Sequence, residues 1–437
     1  MPQDEFADHT PDPAEHKPKQ RRALSHVGGA IVLSGGSEEE RVALSHALEV
    51  DADEAATMAH VHGFHSYPAR LHPQTASRLI RGFSKADATL LDPFCGSGTV
   101  LVEARLLGRK AYGVDANPLA IELALLKCHG ISSDSANALQ DAAKAVAAHA
   151  DERRLKKLGP TRRYEAADRE LYDAHVLLEL DGLRDGVLRL ESSEIRRALW
   201  LVLSATLTKV SRRRGDSAAG KAPKRLAGGF TIRFFVSKTE ELARRLLDYA
   251  ARLPARAPHI KCAAGDARSL VQVRTAEIDL IVSSPPYPGV YDYFEHHLPR
   301  LRFLGFDEDS FERSEIGSRR RLSKIGFDAA VERWRHEFGA CLDEFRRVLA
   351  PAGTIALVIA DSVLGGRALH ADHLLKELAA RHGLGLVASA SQKRPYFHEP
   401  TRAAFRERDR LEHVLLLRHK TNDPSSRRKI VTRGHKR

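Results

Sequence analysis

Leu90-Leu-Asp-Pro-Phe-Cys-Gly-Ser-Gly-Thr-Val-Leu-Val-Glu-Ala104 is an apolar run that ends on an acid, turns on two glycines and continues with helical spacing. It reads as a strand, a tight turn and a helix, the unit from which parallel sheets covered on both faces are built. Gly96 and Gly98 let backbone approach a ligand where a Cβ would collide, and Thr99 falls near the helix N-terminus, where free N–H groups gather. Seventeen residues beyond Gly98, the apolar run Lys110 to Val114 ends on Asp115. That acid is placed like the one that accepts hydrogen bonds from a ribose in nucleotide-binding α/β folds. The loop has no P-loop lysine, and Asp92 suits an ammonium better than a pyrophosphate. S-adenosylmethionine, a nucleoside with an amino-acid tail, meets both requirements.

The same rhythm continues outward. Strands are expected at Thr89 to Asp92, Lys110 to Asp115, His259 to Asp266, Ile278 to Ser283, Thr354 to Asp361, Leu384 to Ser391 and His413 to Arg418. This is the pattern of a doubly wound, Rossmann-like, seven-stranded α/β sheet. Residues 131–258 interrupt it with Ala, Leu, Arg and Glu at helical spacing and read as an inserted helical subdomain. The sheet domain then has a first half within residues 23–130, with an N-terminal flank, and a second half at 259–419. In the flank, Ala30 to Ser34 reads as a short strand and Ser37 with Glu40 as a capping box. Residues 1–22, rich in proline and mixed charge, read as a disordered tail, and 420–437 as a basic tail.

Composition narrows the function classes. A chain of 437 residues, 43% hydrophobic, fills one large core or two ordinary ones. Lys plus Arg number 69 against 57 Asp plus Glu, a formal +12, which favours an acidic partner such as nucleic acid or an anionic membrane surface. No stretch approaches the roughly 18 apolar residues of a membrane span, and the N-terminus lacks the apolar run of a signal peptide. The chain is therefore expected to be soluble and cytoplasmic, with no membrane partner. The four cysteines, at 95, 128, 262 and 341, exclude a Cys-x-x-Cys pair. None follows a proline, so a thiolate attacking a base carbon is unsupported, and Cys95 reads as a small buried residue of the loop. His60, His62, His65, His296 and His297 show no closed ligand set, so no metal is expected and these side chains read as surface or pocket wall.

A second segment carries the chemistry. Ile278-Asp-Leu-Ile-Val-Ser-Ser-Pro-Pro-Tyr-Pro288 runs a buried strand straight into Ser284-Pro285-Pro286-Tyr287, at a strand's carboxyl end, where open α/β sheets place their ligands. The prolines fix the turn and leave carbonyls without a local donor, while Tyr287 offers a flat face to a planar ring. An exocyclic amine on a base is a poor nucleophile, because its lone pair is delocalised into the ring. Hydrogen bonds from that amine to the Ser284 hydroxyl and the Pro285 carbonyl would localise the pair and aim it. Tyr291, Tyr293 and Phe294 fit equally a pocket wall or the core of the next helix. The cationic run Lys209 to Arg225, with Arg212, Arg213, Arg214, Lys221 and Lys224, and the turn with Arg319, Arg320 and Arg321 are candidate phosphate contacts.

From His62 to Arg418 the chain resembles the amino-group DNA methyltransferases, the N4-cytosine and N6-adenine type. The resemblance implies a class I fold, S-adenosylmethionine as cofactor, and DNA as partner. Asp92, Phe94, Gly96 and Gly98 match the cofactor loop, Asp115 and Asn117 the ribose end, and Asp266 with Ala267 the adenine end. Ser283 is assigned to the cofactor and borders the catalytic motif Ser284 to Tyr287. His65-Ser-Tyr-Pro-Ala-Arg70 is similar to the segment that closes over the methionine part, which assigns Tyr67 and Pro68 to the cofactor. Phe345 to Ile355 is similar to the helix and strand of S-adenosylmethionine methyltransferases generally. Ser284, where the adenine enzymes usually carry Asp, leans toward N4 of cytosine. The departure is the absence of a target-recognition domain: only Pro288 to about Ala329 is unassigned after the motif. That leaves two other readings open, an RNA base N-methyltransferase and a non-catalytic nucleic-acid-binding protein on the same scaffold.

Overall fold

The computed structural model describes residues 29–50, 54–212, 225–396 and 399–420. The disordered-tail reading of 1–22, nearly all of the basic tail, and the basic residues Arg213, Arg214, Lys221 and Lys224 lie outside them.

Ten strands are found among the described residues: β1 (Ile31–Gly35), β2 (Thr89–Asp92), β3 (Lys110–Asp115), β4 (Ile260–Ala264), β5 (Ile278–Ser283), β6 (Leu349–Ala360), β7 (Ser362–Leu364), β8 (Arg367–Leu369), β9 (Leu384–Lys393) and β10 (Leu411–His419). Eight make one sheet in the order β1-β9-β10-β6-β5-β2-β3-β4, and β7 with β8 forms a separate hairpin. β4, β3, β2, β5 and β6 run parallel. β10 lies antiparallel between β6 and β9. All seven expected strands are present, and the chain has the doubly wound, Rossmann-like α/β fold.

Alternation along the strands divides the interior into two cores, since successive side chains leave a strand on opposite faces. Leu90, Leu280, Val282, Val358 and Leu416 enter one core; Leu91, Ile281, Ile359 and Leu417 enter the other. The sheet also gains a strand beyond the expected seven. β1, read from sequence as part of a flank, pairs antiparallel with β9 from Ile31 opposite Gln392 to Gly35 opposite Ala388. Its short one-sided pattern gives no hint of a partner more than 350 residues away. The capping box next to it is formed, with Ser37 N donating to Glu40 Oε2 at 2.9 Å and Glu40 N to Ser37 Oγ at 3.3 Å.

Between β3 and β4 the chain makes the long helices Ser133–Leu155, Ala174–Leu188, Ser193–Val210 and Phe230–Arg252. Their apolar faces, through Leu139, Leu183, Leu203 and Phe235, belong to the same core as one face of the sheet. The buried Glu179 carboxylate accepts from Gly229 N at 2.5 Å and Thr231 N at 3.2 Å. It thereby satisfies free N–H groups at the start of the last of these helices and meets its positive dipole end.

Candidate active site

Strands β2, β3, β4 and β5 all end at one edge of the sheet, and the loops that leave them surround a cleft of about 680 Å³, counting space open to solvent. Of the residues assigned from sequence, Tyr67, Pro68, Phe94, Gly96, Asp115, Asp266, Ala267, Ser284 and Pro286 line it. Asp92, Gly98, Thr99, Asn117, Ser283, Pro285 and Tyr287 do not; several of them hold the walls from behind.

The glycine loop is fixed by its acids. Asp115 Oδ2 accepts from Gly96 N at 2.8 Å and Oδ1 from Asn117 N at 2.9 Å. Asp92 Oδ1 accepts from Ser283 Oγ at 2.6 Å and Phe94 N at 3.1 Å, tying the cofactor loop to the strand that carries the Ser-Pro-Pro-Tyr turn. Gly98 stands at φ +87°, and a Cβ on it would come within 2.9 Å of Ala124 Cα and Cβ on the helix Pro118–Cys128. Gly98→Ala therefore combines a left-handed backbone penalty with overpacking, and about 2–3 kcal/mol of stability is expected to be lost in urea unfolding.

Tyr67 covers the loop. Its ring stacks on the buried His297 at 4.7 Å, its hydroxyl accepts from Asn117 Nδ2 at 3.3 Å, and a Cβ on Gly96 would lie 3.3 Å from its Cε1. Asn117 thus acts through Tyr67 and through the cap it provides to Leu119 N at 3.0 Å.

Burial pushes the Asp92 carboxyl up to about 7 and that of Asp115 up to about 6. No ion pair to either is found among the described residues. Two buried carboxylates held near neutrality by desolvation, one on the cleft and one beneath it, fit a ligand that brings positive charge, as the sulfonium and ammonium of S-adenosylmethionine do. Asp266 also borders the cleft, but its carboxylate is gripped by Arg268, with Nε at 2.9 and 3.0 Å and an outer nitrogen at 2.6 Å. The sequence had assigned it to the adenine end, and its oxygens are oriented by this guanidinium.

The Ser-Pro-Pro-Tyr turn is braced on its far side. Trp334 Nε1 donates to the Pro286 carbonyl at 3.3 Å, Ser362 Oγ to the Pro288 carbonyl at 3.2 Å, and the Tyr287 hydroxyl lies 3.4 Å from Ser284 Oγ. Tyr287 itself is half-buried and packs on the core that contains Trp334 and Phe338. The flat face expected from it is therefore not among the cleft walls, which present Tyr67, Phe94, Tyr293 and Phe311 instead.

Sequence reasoning missed the opposite wall. Phe311, Ser314, Glu315 and Ile316 come from the stretch left unassigned after the motif, and Glu315, 5% exposed, accepts from Phe294 N at 3.0 Å. Tyr293 lines the cleft whereas Phe294 is core, so the two neighbours divide the roles left open for them. His62 and His65 are core residues, bonded to Glu103 Oε1 at 2.9 Å and Ser204 Oγ at 3.0 Å, and neither lines the cleft nor reaches the surface. Their ring nitrogens found buried acceptors and donors from segments distant in sequence. Cys95 is buried as expected, with Sγ 3.8 Å from Cys262 Sγ.

The basic residues are less bare than their run suggests. Arg319 pairs with Asp292 at 3.2 Å, Arg320 with Glu295 at 2.7 Å and Glu312 at 3.1 Å, and Arg321 with Glu312 at 3.8 Å. Arg212 pairs with Asp173. None of these arginines lines the cleft. Among the described residues, no helix is long and apolar enough to cross a membrane.

Residues 14–126 match the model of a DNA methylase family, N6_N4_Mtase. Over 68 residues the chain is 34% identical to the type II methyltransferase M.MjaII of Methanocaldococcus jannaschii, covering 16% of this chain and 13% of that protein. Over 62 residues it is 44% identical to the type II methyltransferase M.MvaI of Kocuria varians, 14% of each. Over 57 residues it is 39% identical to the tRNA (guanine(10)-N2)-dimethyltransferase of Pyrococcus abyssi, 13% of this chain and 17% of that protein. The chain therefore spans less than a fifth of the length of each of these relatives. Among solved structures, a TehB-like SAM-dependent methyltransferase from Corynebacterium glutamicum overlaps 79% of this chain and 87% of its own at a TM-score of 0.28 and 12% identity. S-adenosylmethionine is the cofactor of the matched family. The match to the N6/N4 DNA methylase family over residues 14–126 takes in the glycine loop and Asp115.

Proposed function

We propose that the chain transfers a methyl group from S-adenosylmethionine to an exocyclic amine of a DNA base, N4 of cytosine in preference to N6 of adenine. The observation that carries this reading is that Ser284 and Pro286 share one cleft with Tyr67, Gly96 and Asp115. S-adenosylmethionine, when bound, supplies an electrophilic methyl. Asp115 receives the ribose, and the Asp92 and Asp115 carboxylates balance the positive charge. Ser284 accepts a hydrogen bond from the amine and concentrates its lone pair, while Tyr287 holds the serine hydroxyl in place. Tyr293 and Phe311 supply flat faces for a base taken out of its stack. Serine at position 284, rather than aspartate, supports cytosine.

A second reading, transfer to an amine of an RNA base, is supported by the similarity to the tRNA guanine-N2 enzyme. Incubation with labelled S-adenosylmethionine and duplex DNA, single-stranded DNA or bulk RNA, followed by nucleoside chromatography, separates the two. Label in N4-methylcytosine of DNA is the expected result. Label only in RNA nucleosides would move the chain to the second reading, and label in N6-methyladenine would overturn the base preference.

A further inference from the structure

Behind the end of β6, four side chains from three segments converge away from the cleft. Asp361 follows β6 and His413 lies on β10, both fully buried. His370 and Asp372 come from the start of the helix Ala371–Arg381. Carboxylate oxygens of Asp361 and Asp372 and a ring nitrogen of His413 all lie within 4.8 Å of one another. His370 Nδ1 stands 3.5 Å from Asp361 Oδ2. Among the described residues, two buried atoms of the group, His370 Nδ1 and Asp372 Oδ1, have no hydrogen-bond partner, an arrangement that costs about 1–3 kcal/mol for each such atom unless something binds it.

Within the group His413 Nε2 already lies 3.1 Å from Asp361 Oδ1, and other polar atoms are held from outside. His413 Nδ1 meets Ser391 Oγ at 2.8 Å. Asp361 accepts from Ala371 N at 2.8 Å and Leu411 N at 3.0 Å, and Asp372 Oδ2 accepts from Arg408 at 2.6 Å. Outer hydrogen bonds of this kind fix the tautomer and orientation of metal-binding imidazoles and carboxylates. Asp361, Asp372 and His413 offer two carboxylate oxygens and an imidazole nitrogen, with the His370 ring beside them, nitrogen and oxygen donors of the kind zinc accepts.

We propose that Asp361, Asp372 and His413, with His370 beside them, form a site for a divalent cation of the zinc class. An ion there joins the end of β6, β10 and the start of the helix Ala371–Arg381. It does so one residue from Ser362, whose hydroxyl supports the Pro288 carbonyl of the Ser-Pro-Pro-Tyr turn. The site is independent of what the cleft methylates.

The test uses the full chain stripped with a chelator and titrated with Zn²⁺ by calorimetry, and with Co²⁺ by visible absorption. One Zn²⁺ per chain with sub-micromolar affinity, a raised Tm and the ligand-field bands of four-coordinate Co²⁺ are expected. Asp372→Asn and His370→Gln replace side chains that are partly exposed, so folding is expected to survive and is checked by circular dichroism. Each is expected to weaken Zn²⁺ by at least about tenfold. His62→Gln, in the separate His60, His62 and Glu103 cluster, is expected to leave the Zn²⁺ affinity of the folded chain unchanged. Absence of sub-micromolar binding overturns the proposal. So does binding that survives both Asp372→Asn and His370→Gln, or that is lost in His62→Gln.

Discussion

Ser284→Ala is expected to lower kcat for methyl transfer by about 10²–10³-fold, or about 3–4 kcal/mol, the range found when one preorganised polar contact is removed from a transition state. Affinity for S-adenosylmethionine is expected to stay within about twofold, because the lost contact acts on the amine and not on the cofactor. The reasoning starts from the amine. Its lone pair is shared with the ring, and the barrier falls only if the N–H groups are held by acceptors fixed beforehand. In the proposed mechanism Ser284 is such an acceptor; it lies on the cleft after β5, with its hydroxyl 3.4 Å from that of Tyr287 and its strand bound to Asp92 through Ser283. Tyr287→Phe, which removes only the hydroxyl beside Ser284, is expected to cost about tenfold, the equivalent of one neutral hydrogen bond. Single-turnover transfer and calorimetric titration on the same preparations separate the two effects. A fall in kcat below about tenfold for Ser284→Ala would remove that residue from the chemistry.

Asp115→Ala has its largest effect on the cofactor. Its two oxygens already hold Gly96 N and Asn117 N, so the substitution removes the proposed ribose acceptor and loosens the loop together. Hydrogen bonds to a charged group contribute about 1.5–3 kcal/mol each, so affinity is expected to fall by at least about 100-fold. Unchanged affinity in calorimetry would show the ribose assignment to be wrong.

The pH dependence follows from the same carboxylates. Burial raises Asp115 from 3.8 to about 6 and Asp92 from 3.8 to about 7. A carboxyl raised on folding holds its proton more tightly in the folded chain than in the unfolded one. Its contribution to stability is complete below the unfolded value, near 4, and is lost as pH rises through 6 and 7. A cationic ligand prefers the ionised pair. Affinity for S-adenosylmethionine is accordingly expected to rise across this window in the wild-type chain, and to rise less steeply in Asp115→Ala.

The parallel strands were legible because each is a short apolar run bounded by turn residues, with two stretches that end on chemistry, Asp92 and Ser284. Such local patterns survive into the structure: seven strands appear where periodicity places them. What was not legible depends on pairs far apart in the chain. Tyr287 carries the flat ring that a base would use, yet Trp334 and Phe338, nearly fifty residues on, draw it into the core, and nothing next to it in sequence announces them. Glu315 and Phe311 look like surface residues of a charged loop until the helices after the motif fold them over the cleft. Arg320 read as bare positive charge because Glu295 and Glu312, which neutralise it, belong to other turns of chain. The histidines His62 and His65 show the same limit, since their partners Glu103 and Ser204 lie 41 and 139 residues away.

The edge strand β1 also has a kinetic meaning. Its hydrogen-bonding partners are residues 388–392 of β9, so this strand has nowhere to dock until those residues, more than 350 positions on, have been made and the rest of the sheet is assembled. A pairing of such high contact order forms late, because a very large loop must close before any contact rewards it. During synthesis β2 and β3 can pair while β1, ahead of them in the chain, waits. The completed sheet is thus sealed by the earliest-made of its described strands.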